Sequence, residues 1–264
     1  MDARSPADST QAEVVLTERR GSVLLITLNR PDARNAVNLA LAEGIAAALD
    51  LLDGEDALSV GVLTGAGKGF CAGMDLKAFV GGERPWVGDR GFAGIVRRAS
   101  LKPLIAAVEG FAVAGGLEVA LACDLIVAAR GARLGIPEVK RSLVAAGGAL
   151  LRLPRALPHN VAMELALTGE PIVAERAAEL GLVNRLADPG AAVEVALGLA
   201  GEIAVNAPLA LAASKRILRE QRDWSSAEMW EAQSAISDPV FVSEDAREGA
   251  TAFAEKRPPV WRGR

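Results

Sequence analysis

A chain of 264 residues, 51% of them hydrophobic, is long enough to bury a full core as one compact domain. Its 29 basic and 33 acidic residues leave a net charge of −4, which argues against nucleic acid or an anionic membrane as partner. One histidine and two cysteines exclude a His-rich metal cluster and a disulfide framework, and they fit a reducing cytoplasm.

Residues 1–12 are polar, lack an apolar h-region and read as a disordered tail. Residues 14–19 and 23–28 run apolar around Arg20 and Gly21, as in a β-hairpin. Asn38 is placed to cap a helix reaching about Leu52, with Leu39, Ala42, Ile45, Ala46 and Leu49 on one face. A short strand over 60–63 ends in a glycine loop, TGAGKG. That loop lacks the GK[ST] ending of a phosphate cradle and the spacing of GxGxxG. Residues 81–91 carry four glycines around Pro85 and Trp86 and read as a mobile loop or lid, followed by a helix.

Strands are expected at 104–108, 125–129 and 134–136, with a short helix over 117–122. No apolar run approaches the roughly 20 residues of a membrane span. Beyond about Leu150 helical periodicity dominates, near 161–167, 174–180, 191–204, 208–219, 225–235 and 243–255, with a single strand at 182–186. The chain therefore reads as an α/β N-terminal part and, after about Leu150, an α-helical C-terminal part. His159, in LPHN, reads as a loop residue entering a helix rather than a catalytic base.

Chemistry concentrates in residues 70–76 (FCAGMDL), 110–118 (GFAVAGGLE) and 135–138 (GIPE). Gly115 and Gly116 precede a helical segment, where unpaired N–H groups and the helix dipole attract negative charge. A second amide from Gly73 and Met74 makes an oxyanion hole, unless both stretches are only tight strand-to-helix turns. Glu118 and Glu138 each end an apolar run. Read blandly, Glu118 serves the helix dipole and Glu138 pairs with Lys140 or Arg141. Sharing an apolar pocket, they would instead split their proton affinities, as an acid and a base must.

These three stretches, the 20-residue spacing of the glutamates and the opening LNRP at 28–31 resemble the crotonase, or enoyl-CoA hydratase/isomerase, superfamily. The resemblance runs from about Val14 to Arg264. The C-terminal run from Ser243 and the GFAG at 91–94 are similar to its carnitinyl-CoA dehydratase branch. It implies an α/β crotonase-like spiral of ββα units over 13–200 with a C-terminal helical trimerisation region over 201–264, assembled as a trimer or a dimer of trimers. It implies reversible syn addition of water to a 2-enoyl-CoA thioester. The acyl oxygen would sit on the Met74 and Gly115 amides, Glu138 would serve the α-carbon, and Glu118 the water or hydroxyl. Ala33, Arg34, Ala72, Asp75, Leu76, Phe253 and Lys256 would contact coenzyme A, the last two sometimes from a neighbouring subunit. Coenzyme A is then part of the substrate, and neither metal nor further cofactor is needed.

Two departures stand out: Ala114 replaces the first of three glycines, and Ala146 stands where a glycine N–H often meets the glutamate or water. Double-bond isomerisation and non-catalytic acyl-CoA binding are the alternatives. An RNA-binding member of the fold would have to rely on the small Arg97/Arg98 and Arg216/Arg219/Arg222 clusters.

Overall fold

A computed structural model describes residues 13–264. The expected tail at 1–12 lies outside them. Eleven strands are named in chain order. β1 (Val15–Arg20), β2 (Val23–Leu28) and β3 (Val60–Gly65) come first. The pair β4 (Trp86–Val87) and β5 (Gly91–Phe92) is followed by β6 (Leu104–Val108) and β7 (Phe111–Val113). Then come β8 (Leu125–Ala129), β9 (Arg133–Gly135), β10 (Ile172–Val173) and β11 (Arg185–Ala187). The first helices are α1 (Leu39–Gly54), α2 (Leu76–Val80), α3 (Gly115–Ala122), α4 (Ala149–Ala156) and α5 (His159–Thr168). They continue with α6 (Ala174–Glu179), α7 (Ala192–Ala204), α8 (Pro208–Glu220), α9 (Met229–Phe241) and α10 (Glu244–Glu255).

Six strands form one sheet in the order β1-β2-β3-β6-β8-β11, parallel from β2 onward. Parallel sheets are covered on both faces, so their strands need continuous apolar runs. Alternation along β2 shows why. Leu24, Ile26 and Leu28 enter one core layer with Ile45 and Leu49 of α1. Val23 and Leu25 enter the other, under Ala192, Ala196 and Leu199 of α7.

A smaller sheet, β10-β9-β7, lies beside the first. Two passes through the main sheet, β6-β7-α3 and β8-β9, send the chain into this layer and then into a helix or turn. Cys71 makes the corresponding step after β3, bridging Ala112 in parallel. This is the expected ββα spiral.

Several expectations change, and α2, β7 and β10 are elements beyond those expected. The strand expected at 182–186 begins only at Arg185, because Asn184 pairs Ile126 through its side-chain oxygen as well as its backbone N–H. Helix α4 is an addition to the expected elements; Pro154 inside it removes a donor and lowers its helical signal. The expected lid at 81–91 is a short hairpin pinned to α1. Arg90, 4% exposed, donates to Asp50 at 2.5 Å and to the Arg98 carbonyl at 2.9 Å. The helix expected after it is absent. Residues 93–100 run irregularly, with Gly94 packed so closely that a Cβ would meet the Ala42 carbonyl at 2.3 Å.

Candidate active site

The three chemical stretches converge because they are equivalent exits from the small sheet. Cys71, Val113 and Gly135 lie in adjacent parallel pairings, tied by Val113 N–H to the Cys71 carbonyl and Ala114 N–H to the Gly135 carbonyl. Beyond them the chain turns into Gly73 and Met74, into α3, and into the Pro137–Arg141 3-10 turn carrying Glu138. All three meet in one cleft of 310 Å³.

Glycine is required by contact at two positions of the turn that opens α3. A Cβ on Gly115 would meet the Phe92 ring at 2.6 Å, and one on Gly116 would meet the Cys71 carbonyl oxygen at 2.1 Å. Ala114 holds φ 53° and ψ −134°, a region that glycine populates and alanine enters only under strain. This geometry leaves Met74 and Gly115 lining the cleft, and neither N–H donates to another group among the described residues. Unengaged amides on a cleft are the kind of donor from which an oxyanion hole is built.

Glu118 stands in the first turn of α3 and is 4% exposed. Burial pushes its carboxyl up to about 7, against hydrogen bonds from the Ala149 and Gly147 amides. Glu138 raises it further by charge, which ties the two carboxylates to one another electrostatically, while Arg152 lowers it. Burial also raises Glu138, against its own backbone N–H and nearby Arg141. The Glu138 Oε2 atom is buried without a hydrogen-bond partner among the described residues. Leaving a buried polar atom unpaired is costly, and such atoms mark places where a ligand supplies the missing partner. Lys140, the bland alternative as a partner for Glu138, pairs with Glu170 instead.

The remaining expected residues divide. Arg34, Ala72 and Leu76 line the cleft, and Arg34 is exposed without an ion pair among the described residues. Asp75 does not: it caps α2 through the Lys77 and Ala78 N–H groups and pairs with Arg30 at 3.0 Å. Ala33 is part-buried and outside the lining. Phe253, 89% exposed, and Lys256, the left-handed cap of α10, also stand outside it. The amide at Ala146 closes a turn onto the Val144 carbonyl; the groups that reach Glu118 are Gly147 and Ala149. Gly147 is the closer neighbour, since a Cβ there would meet Glu118 Oε2 at 2.4 Å.

The segment 81–91, read as the pocket's distal wall as well as a lid, does supply a wall of the cleft. Trp86 and Phe92 line it as an edge-to-face pair with centroids 5.4 Å apart. Phe92 lies only one residue beyond the segment read as a lid, and its apolar neighbours are the one available signal. The loop at 66–69 is no phosphate cradle: the buried Asn35 side chain donates to the Ala66 and Gly69 carbonyls and binds it inward.

A larger hollow of 680 Å³ lies between α8, α9 and residues 97–101. Its cations are mostly engaged: Lys215 and Arg219 by Asp124, Arg216 by Glu220, Arg98 by Asp50 and Asp89. Among the described residues its lining carries one carboxylate, Glu220, and so no pair to compare with that of the smaller cleft. Among the described residues no group of His, Cys, Asp and Glu side chains has metal-site geometry.

The chain is 43% identical over 259 residues to enoyl-CoA hydratase EchA19 of Mycobacterium tuberculosis, covering 94% of this chain and 96% of that protein. It is 42% identical to a carnitinyl-CoA dehydratase of Salmonella arizonae, covering 96% and 99%. The crystal structure of an enoyl-CoA hydratase from Mycobacterium tuberculosis superposes with a TM-score of 0.94 at 58% identity, over 96% of this chain and all of that one. A carnitinyl-CoA hydratase from Mycobacterium avium gives 0.77 at 46% identity, over 96% and 99%. The family model for enoyl-CoA hydratase/isomerase matches residues 18–264. With nearly the whole chain matched, and with the same fold, the protein is a member of the enoyl-CoA hydratase/isomerase, or crotonase, family.

Proposed function

We propose that the protein is a hydro-lyase that adds water reversibly, on one face, to the double bond of a 2-enoyl-CoA thioester. The observation that carries this reading is a pair of carboxyls with raised proton affinity on one cleft, beside two unengaged backbone N–H groups. In the hydration direction Glu118 takes a proton from water as the oxygen attacks the β-carbon. Negative charge moves onto the thioester oxygen, where the Met74 and Gly115 amides hold it. Glu138 delivers its proton to the α-carbon. An enolate-like oxygen is stabilised by fixed donors at a few kcal/mol each, and each placed acid or base contributes roughly a hundred- to ten-thousand-fold. Dehydration of a hydroxyacyl thioester, carnitinyl-CoA included, is the same path reversed.

Arg34, Ala72 and Leu76 serve the coenzyme A path, with Ala33 and the Asp75 cap supporting its loops. Phe253 and Lys256 contribute from a neighbouring subunit of a trimer or dimer of trimers. Two buried free cysteines suit a reducing cytoplasm. Incubation with crotonyl-CoA tests the activity, with loss of the conjugated thioester absorbance as the expected signal. Glu118→Gln and Glu138→Gln should each lower kcat by about a hundredfold or more. If both variants kept the parent rate, the reading would be wrong; a gain of conjugation from a 3-enoyl-CoA without hydration would make the protein an isomerase.

A further inference from the structure

Arg152 belongs to none of the three sequence stretches, and it does not line the cleft. It nevertheless sits directly behind the catalytic pair. Its guanidinium lies against Gly148, where an added Cβ would meet Nη1 at 2.1 Å. Nη1 reaches the Gly147 carbonyl at 3.4 Å, and Nη2 donates to the Val96 carbonyl at 2.5 Å. On the other side of this turn, Gly147 presses on the Glu118 carboxylate, and Ala149 donates to Glu118 Oε1 at 3.2 Å.

We propose that Arg152 is a positioning residue for Glu118. From behind the cleft it clamps the 147–149 peptides that cradle the carboxylate and anchors them to the irregular 93–100 wall. The hydro-lyase reading supplies the reason Glu118 must be held; the clamp itself is geometric. No ion pair links the two side chains among the described residues, so the guanidinium acts through the intervening peptides and through its field. A chain with buried, non-repeating backbone has carbonyls that must find donors, and a forked guanidinium serves two at once.

The charged surroundings fix the direction of its effect. Glu118 faces Glu138 across the cleft and Arg152 behind it. Around Arg152 stand Arg219 from α8, Arg155 from its own helix and Cys123 after α3. Arg219 is itself held by Asp124, which also binds Lys215. Removing the Arg152 charge therefore leaves Glu118 with burial and a like charge, both favouring its protonated form.

The test is a carbon-13 NMR titration of carboxyl-labelled glutamate in the free enzyme, with the Glu118 resonance assigned by its loss in Glu118→Gln. The expected midpoint rises by about half a unit to one unit in Arg152→Gln. In Arg152→Lys it falls between, since the charge remains but the fork is lost. At pH 7 kcat for crotonyl-CoA should fall about two- to fivefold in Arg152→Gln, as the ionised fraction drops, with KM unchanged. A Glu118 midpoint that stays put in both variants, with only a lower melting temperature, overturns the proposal. Should Arg152→Gln not fold, the Lys variant alone decides it by the same shift. Full hydration activity in Glu118→Gln would sink the hydro-lyase reading instead, while the midpoint shift would still decide the role of Arg152 independently.

Discussion

Glu118 brings a stability consequence along with its chemistry. Its carboxyl titrates near 4.5 in an unfolded chain and is pushed up to about 7 in the fold. A raised carboxyl favours the native state below pH 4.5, and that contribution is lost as pH climbs through 7. At pH 8 the buried carboxylate therefore costs about 3 kcal/mol relative to acid conditions. Glu118→Gln should melt about 4–8 °C higher than the parent at pH 8, with the gain shrinking toward pH 5. Calorimetry at both pH values checks this, and an equal gain at each would refute the burial argument. Ala114 is a second residue under tension. Its φ of 53° with ψ −134° suits glycine, so Ala114→Gly should raise the urea midpoint by the equivalent of about 1 kcal/mol and leave hydration intact. In the sequence Ala114 is only a departure from three glycines; the backbone angles reveal that the turn kept its shape and accepted the strain.

At the level of elements, the site depends on how closely α3 starts against the Cys71 exit. Gly116→Ala places a methyl 2.1 Å from the Cys71 carbonyl oxygen and 2.7 Å from its carbon, and main chain on both sides cannot swing away. The variant should lose about 1–3 kcal/mol and, by shifting the Gly115 N–H, about tenfold or more in kcat, read from melting curves and initial rates. Wild-type stability would mean the packing is looser than described. This contact also explains which parts are legible in the sequence. β2, β6 and β8 are apolar runs bounded by breakers, and their ranges can be read to the residue. Both glutamates and both amides lie in stretches with a local signature. Arg152 and Gly147 have none, because each acts through contacts to segments distant in the chain, Arg152 to Val96 and Gly147 to Glu118. The helix expected after Gly91 fails for the same reason. Arginines 90 and 152 satisfy carbonyls in that segment, and helical hydrogen bonds are replaced rather than formed.

The whole molecule ends in three helices whose tail is fastened to its own subunit. Asp245, 2% exposed, accepts from the Arg262 and Gly263 N–H groups, and the Trp261 indole donates to the Val205 carbonyl. With the tail turned inward, Trp230 and Phe241 of α9, Val242 beyond it and Phe253 of α10 remain 67%, 77%, 72% and 89% exposed. Single exposed apolar residues need no explanation, but several large ones along the last two helices are what a contact surface presents. A trimer or dimer of trimers is the assembly this region serves in our reading, and it would bring Phe253 and Lys256 to a neighbouring cleft. Light scattering at micromolar concentration should then give a mass about three or six times the 27.3 kDa of one chain. The double variant Phe241→Lys, Phe253→Lys should drive that mass toward a single chain and raise KM for the thioester, while circular dichroism stays that of the parent. A parent protein that runs as a monomer at full activity would separate the apolar helices from both assembly and substrate binding, and the cleft would have to work with its own subunit's residues alone.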